Sequence, residues 1–499
     1  MDLMQAIFKY RNIMVFIFSI MMILGGMFVT HNSILIECFY LIYSILIYIH
    51  FSGNTKRYVY FLVLLYAITT SGNSKYVYAF IFLYLLLLVK ELFENKFTLN
   101  DFQYNKNLKY SIFFFVFLVY MILSIFIAKD KNLAIGYLGR YLIVLSIFII
   151  MLIENINIDK IKETLEFLLY IYIGILGLGT IELFGIKYGL RNIFMDKNIN
   201  YDFVQRIPEV FYYNPNNYSV VLNLGIAAIF ISLLFSSDKK RNRFYSFLIF
   251  ISEIQIIFAQ SRIAWIALFL TFIFVLGFGI FNKKEDINVR KIYIRKSSKA
   301  IILSILLFFS LSVVPSMKPY YGKIADSVII KNSQNFLLKH INNKGSNYEI
   351  KDVPKIQIGE KGSENERITL MYNVVNGVIV EKNYLGFGVG NIGLYIKEKA
   401  NTYGICNVHS FWFEFLGDFG IPMFIYLIII YCTMMWDNFK LYKIHSVANK
   451  KYFFMFLVID FILVFSAFAP STVLMFSPFW ITLGMSFSLV SNKLNYKNL

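Results

Sequence analysis

The chain has 499 residues, of which 58% are hydrophobic and only 16% charged. That balance excludes an ordinary soluble multidomain protein, in which about a quarter of residues carry charge. The net charge of +18 is not gathered on one face as a nucleic-acid partner would need. It lies in short loops between apolar blocks, so no nucleic acid is expected.

A bilayer core takes about 20 apolar residues per helix. In chain order, blocks of that kind fall near 13–30, 33–51, 58–70, 76–92, 110–128, 133–153 and 165–186. They continue near 218–236, 244–260, 262–281, 299–315, 411–434, 452–469 and 472–490. The third and fourth are short, so the expectation is an all-α polytopic membrane protein of about 12–14 transmembrane helices. The first block follows Lys9 and Arg11, lacks a small-x-small cleavage site, and reads as a retained anchor.

Basic residues fill alternate loops, such as 237-SDKKRNR-243 and 282-NKKEDINVRKIYIRKSSK-299, and are nearly absent from 30-THN-32 and 469-APS-471. By the positive-inside rule both termini face the cytoplasm. Two long loops, 187–217 and 316–410, then lie outside. The expected organisation is therefore transmembrane helices over 1–315, a large external loop over 316–410 carrying the chemistry, and transmembrane helices over 411–499. Part of that loop, 331–366, is polar and rich in Lys, Asn and Gly. In 367-RITLMYNVVNGVIVE-381 the apolar Ile368, Met371, Val374, Val375, Val378 and Ile379 recur at helical spacing, which predicts an amphipathic helix on the outer membrane surface.

Several polar residues stand out against this background. Arg140 lies inside a span, where charge is costly and functional by default; pairing with Glu37, Glu182 or Glu253, or snorkelling outward, is the alternative. Arg206, Asn214, Asn216 and Asn217 lie in the first external loop, and Asn217 is able to cap the span that follows. Arg262 sits at the outer mouth between two spans, and Arg367 heads the surface helix. Guanidinium groups are the preferred fork for phosphate oxygens. The run 386-GFGVGN-391 fails as a nucleotide loop, having no preceding strand and no following Lys-Ser/Thr. Its glycines, Gly388 and Gly390 among them, permit close backbone approach.

His409 heads 409-HSFWFEFLGDFGI-421, with Asn407 or Ser410 as the expected cap. The positive end of a helix dipole favours the neutral imidazole, the form that takes a proton from a hydroxyl. An interfacial anchor is the bland alternative. Glu414 and Asp418, one turn apart, orient His409 or hold the helix to its neighbours. Cys406-x-x-His409 is half of a metal spacing with no second half, so no metal and no cofactor are expected.

Four pieces together resemble the O-antigen ligase and O-antigen polymerase superfamily: 213-YNPNNYS-219, 260-QSRIAWIAL-268, 367-RITLMYNVVNGVIVEKNYLGFGVGN-391 and 409-HSFWFEFLGDFG-420. The likeness covers roughly 200–425, and departs at Ser410, Met423 and Asn383-Tyr384, where that family has Asn, Gly and His-Pro. It implies an inverting, metal-independent glycosyltransferase on the outer face. The donor implied is a glycan linked to undecaprenyl diphosphate, with membrane lipids around it and a chain-length regulator and a flippase as further partners. His409, Arg367 and Arg262 would be catalytic. Asn214, Asn216, Asn217, Arg206, Arg140, Gly388, Gly390 and Glu414 would hold substrate. The Lys, Asn, Ile and Tyr bias suits a low-GC genome, which leans toward a polymerase of a capsular or teichuronic-acid-like polymer over a lipopolysaccharide ligase. A lipid-linked oligosaccharide flippase is the competing class, although such folds show repeated halves and this chain shows none.

Overall fold

The computed structural model describes residues 3–30, 33–51, 53–69, 75–94, 108–187, 205–212, 214–314, 321, 358–359, 363–468 and 476–491. Residues 188–204, most of the polar 331–366 stretch, and parts of the loops 30–32 and 469–471 lie outside them. Each of the fourteen apolar blocks carries a helix over its described residues, and no strand occurs among them. Among the described residues, eight helices are long and apolar enough to cross a membrane by length and composition. The protein is an all-α, multi-pass membrane protein.

The amino-terminal half contributes α1 (Leu3–Thr30), α2 (Ile34–Phe51), α3 (Thr55–Thr69), α4 (Lys75–Phe93), α5 (Leu108–Ile127), α6 (Lys131–Glu154) and α7 (Ile158–Leu183). Asp130 and Asn157 start α6 and α7 by accepting from the Leu133 and Lys160 amides, both at 2.9 Å, which satisfies backbone groups with no intrahelical partner. The short α3 is a central helix. Every residue of it except Lys56 is buried, against α2, α4, α6 and the last helix of the chain. A helix apolar all round belongs in such a place.

Next come α8 (Pro215–Phe235), α9 (Lys239–Phe258), α10 (Arg262–Phe281) and α11 (Ile287–Ser312). The cap of α8 is Asn214, not Asn217: its side chain accepts from the Asn216 amide at 2.8 Å, and Pro215 takes the first helical position. Asn followed by Pro is the favoured start, because proline lacks the amide that would go unsatisfied there. The surface helix α12 (Ser363–Val375) runs into one π turn, Asn376–Val380, and is followed by α13 (Ile392–Lys399). Its buried stripe is Leu370, Val374 and Val378, packed on Ile392, Ile396, Val408 and Leu416. Of the residues expected to form the apolar face, Ile379 is exposed and Ile368, Met371 and Val375 are half-buried. The stripe thus faces the protein's own satellite core.

The last three helices are α14 (Phe411–Ile444), α15 (Val447–Ser466) and α16 (Ser477–Ser491). The expected straight span from 411 is instead bent sharply at Gly420, whose backbone is non-helical at φ 70 and ψ −174. In a straight helix the 19 residues from Trp412 to Tyr431 would span about 28 Å; their ring centroids are 5.5 Å apart. The short arm, 411–419, is folded back beside the long one. The Trp412 indole donates to the Val464 carbonyl at 2.9 Å and the Phe411 amide to the Ala467 carbonyl at 2.9 Å, which fastens the arm to the end of α15.

Candidate active site

His409 precedes the short arm with φ 56, a left-handed backbone uncommon for a residue with a side chain. Buried Val408 and Ser410 pin it on either side. Ser410 occupies the cap position of α14 but makes no side-chain cap bond. Burial, then the nearby Arg367 charge, push the imidazole down to about 4, so it is neutral at physiological pH. Its Nδ1 is buried and has no hydrogen-bond partner among the described residues.

Arg367 projects from the second turn of α12, whose Leu370 and Val374 pack in the same cluster as Val408. That shared cluster sets guanidinium beside imidazole. Burial, then the charge of Arg262, lower the Arg367 pKa. Arg262 begins α10 two residues after Gln260, itself left-handed at φ 58. Arg367 therefore feels Arg262 on one side and is felt by His409 on the other. Among the described residues it forms no ion pair, an arrangement that leaves positive potential waiting for an anion.

The glycine run has a different setting. Asp418, fully buried in the short arm, accepts through Oδ2 from the Gly390 amide at 2.8 Å and through Oδ1 from the Ile392 amide at 3.1 Å. The Phe387 and Gly388 amides donate to the Gly417 and Asp418 carbonyls at 2.8 and 3.0 Å, and the Ile421 amide donates to the Tyr384 carbonyl at 2.8 Å. A Cβ on Gly388 would lie 2.6 Å from the Ser124 carbonyl oxygen, and one on Gly390 would lie 2.3 Å from the Tyr137 ring. Both glycines have positive φ. The run is thus a brace between α5, α6 and the bend of α14, and it holds the arm that carries His409.

The remaining candidates divide. Glu414 is buried in the arm and interacts electrostatically with Tyr137 and Tyr141. Arg140 is exposed, with its guanidinium 5.2 Å from the Tyr137 ring centroid. Two of the three carboxylates suggested as its partners are engaged elsewhere. Glu182 pairs with Lys187 at 3.4 Å and accepts from the Glu209 and Val210 amides, and Glu253 accepts from the Ser304 hydroxyl. Arg206 is half-buried in the connector leading to α8, and Asn214 is spent as a cap. Asn216 is half-buried, while Asn217 is buried with no partner for Oδ1 among the described residues. Sequence reasoning missed Tyr137, which stands between Gly390, Glu414 and Arg140; nothing in its neighbourhood of the sequence signals it. It also passed over Ser261, immediately before Arg262, buried with no partner for its hydroxyl among the described residues.

Residues 244–428 match the family model described as O-Antigen ligase. The matched stretch contains Arg262, Arg367, Gly388, Gly390, His409 and Glu414, and leaves Arg140, Arg206 and the Asn214–Asn217 turn outside. No curated protein matches the chain.

Proposed function

We propose, for a chain whose residues 244–428 match the family model described as O-Antigen ligase, a glycosyl transfer from a lipid-diphosphate-linked glycan to an acceptor hydroxyl. The family supports glycosyl-transfer enzymology on lipid-linked glycans in polysaccharide biosynthesis. The finer reading rests on one observation, the electrostatic convergence of Arg262, Arg367 and His409.

Each group has a task in that reading. A bond forms from the acceptor oxygen to the anomeric carbon as the bond from that carbon to the diphosphate oxygen breaks. The diphosphate leaves with the electron pair, and its growing charge is met by Arg262 and Arg367, which serve in place of a divalent metal. The acceptor proton passes to His409, kept neutral by its surroundings. Attack opposite the leaving group inverts the anomeric centre. By the positive-inside rule the basic loops at the other end of the bundle support an outer-face location for this chemistry, with undecaprenyl diphosphate as the carrier in this reading. A chain-length regulator and a flippase would work beside it.

Purified protein given lipid-linked repeats in detergent tests the reading. Product is expected from the wild type. His409→Ala should lower the rate about 10²- to 10⁴-fold and Arg367→Ala about 10²- to 10³-fold. Wild-type rates in both variants would remove the proposed roles. Absence of product from the wild type would favour transport, which has no meaning in detergent.

A further inference from the structure

Helices α9, α10 and α11 splay apart near the end that carries Arg262, leaving a cleft of about 360 Å³. Its walls are almost wholly apolar: Ile256, Leu268, Phe269, Ile305 and Phe309 among others. Trp265 closes its upper part, edge-on to Phe308 with ring centroids 4.7 Å apart and its indole donating to the Ile256 carbonyl at 3.0 Å. Ile266, Ile305 and Phe309 are exposed along it, so the cleft opens sideways, toward where lipid lies around such a bundle. Arg262 is one turn above Trp265 on the same helix. A molecule seated in the cleft therefore has its head at the cationic mouth.

One polar feature interrupts the apolar wall. Glu253 lines the cleft, buried, with Oε1 accepting from the Ser304 hydroxyl at 2.8 Å. That bond is the polar bridge across the splay between α9 and α11. Oε2 has no hydrogen-bond partner among the described residues. Glu253 is five residues below the end of α9, or about 7 Å down the bundle. The headgroup and interfacial layer of one leaflet is roughly 5–8 Å thick, so a lipid whose headgroup lies level with the end of α9 would bring its interfacial level to this carboxyl. A polar group facing a purely hydrocarbon ligand at that depth is costly. A polyprenyl diphosphate is hydrocarbon from its first carbon below the phosphate. A glycerolipid instead brings ester groups and glycerol oxygens to this level, with two chains beneath.

We propose that the α9–α10–α11 cleft seats the acceptor of the transfer as a diacyl glycerolipid, recognised at its glycerol level by Glu253 and Ser304, with its headgroup hydroxyl delivered to His409. The identity of the lipid as acceptor rests on the function proposed above; its seat in the cleft does not. The assignment makes the reaction a ligation onto a glycerolipid anchor, against the compositional lean toward a polymerase.

The test has two readouts on the full chain in mixed vesicles of a dioleoyl glycolipid and polyprenyl-diphosphate-linked glycan repeats, which are the glycan donor. Photo-crosslinking from a diazirine amino acid at Phe309 reports which lipid occupies the cleft. Mass analysis of the glycan product reports where the glycan goes. Glycolipid crosslinks are expected, falling at least tenfold in Ile305→Trp, which fills the cleft, and about threefold in Glu253→Leu with partial recovery in Glu253→Gln. Transfer to the glycolipid should fall in parallel. His409→Ala should keep the crosslink and lose the product. Crosslinks to the polyprenyl-diphosphate lipid instead, or glycolipid crosslinks indifferent to Ile305→Trp, would overturn the seat. A retained glycolipid crosslink with product found only on polyprenyl acceptors would overturn the acceptor assignment while leaving the glycosyl transfer standing. Crosslinked glycolipid with no product of any kind would count against the function and not the seat.

Discussion

Two arginines at opposite ends of the bundle show what this fold does with a guanidinium. Arg57, at the start of α3, is 2% exposed and fully answered. It donates to Glu163 from Nε and Nη2 at 3.1 and 2.7 Å, to Glu154 from Nη1 at 3.0 Å, and to the Glu154 and Lys160 carbonyls. Arg367 is partly buried against another arginine and a histidine, and has no ion pair among the described residues. The first arrangement ties α3 to α6 and α7. The second is tolerable only where an anion is expected, because charge placed without compensation weakens the fold that holds it.

Substitution of each arginine by leucine is the most direct way to break the comparison. Arg57→Leu should cost about 3–5 kcal/mol, since it removes the buried guanidinium that Glu154 and Glu163 share and leaves them Lys56, Tyr84 and Lys160, and would be read as a lower unfolding midpoint in detergent. Arg367→Leu should leave that midpoint unchanged or raised while transfer is lost. A strongly destabilised Arg367→Leu would mean that the two sites are not different in kind.

Gly390→Ala sharpens the boundary of the site and should cost about 1–3 kcal/mol, because the new methyl meets the Tyr137 ring at a positive φ. Stability should fall together with the rate, whereas a glycine that only touches substrate would lose rate alone.

The smallest effect concerns His409. Its folded pKa of about 4 lies below the ordinary value near 6.5. Its contribution to stability is therefore complete above pH 6.5, and is lost as pH falls through 4, because the unfolded chain takes up the proton first. Selectively labelled histidine followed by NMR should show one ring still neutral at pH 5, and in Arg367→Gln that ring should titrate at higher pH. A His409 resonance that titrates near 6.5 in the wild type would contradict the burial and the neighbouring charge together.

The helices were legible because a membrane chain announces them by length: each apolar block near 20 residues became a helix. The residues gathered at the mouth were legible because Arg262, Arg367 and His409 are polar interruptions at helix ends on one side of the bundle. The bend was not. Gly420 and Pro422 lie inside an apolar run that reads as continuous, and a left-handed glycine is silent in a hydropathy profile. The glycine beside the helix-breaking Pro422 was the available signal. The cap of α8 was misplaced for a similar reason: three asparagines compete, and only the proline after Asn214 decides between them. Glu253 stands among the three carboxylates suggested as alternatives for Arg140 because sequence gives depth along a span without giving its rotational facing.

The fold-back at Gly420 interrupts the hydrogen-bond ladder of a membrane helix, and the segment 384–388 repairs it by lending the broken turn a carbonyl and two amides. Helix and strap thus have to be cut to the same length. A single residue added to or taken from that strap would slide its amides out of register and strand backbone polar groups beside lipid, so this short stretch must tolerate side-chain change far better than change in length.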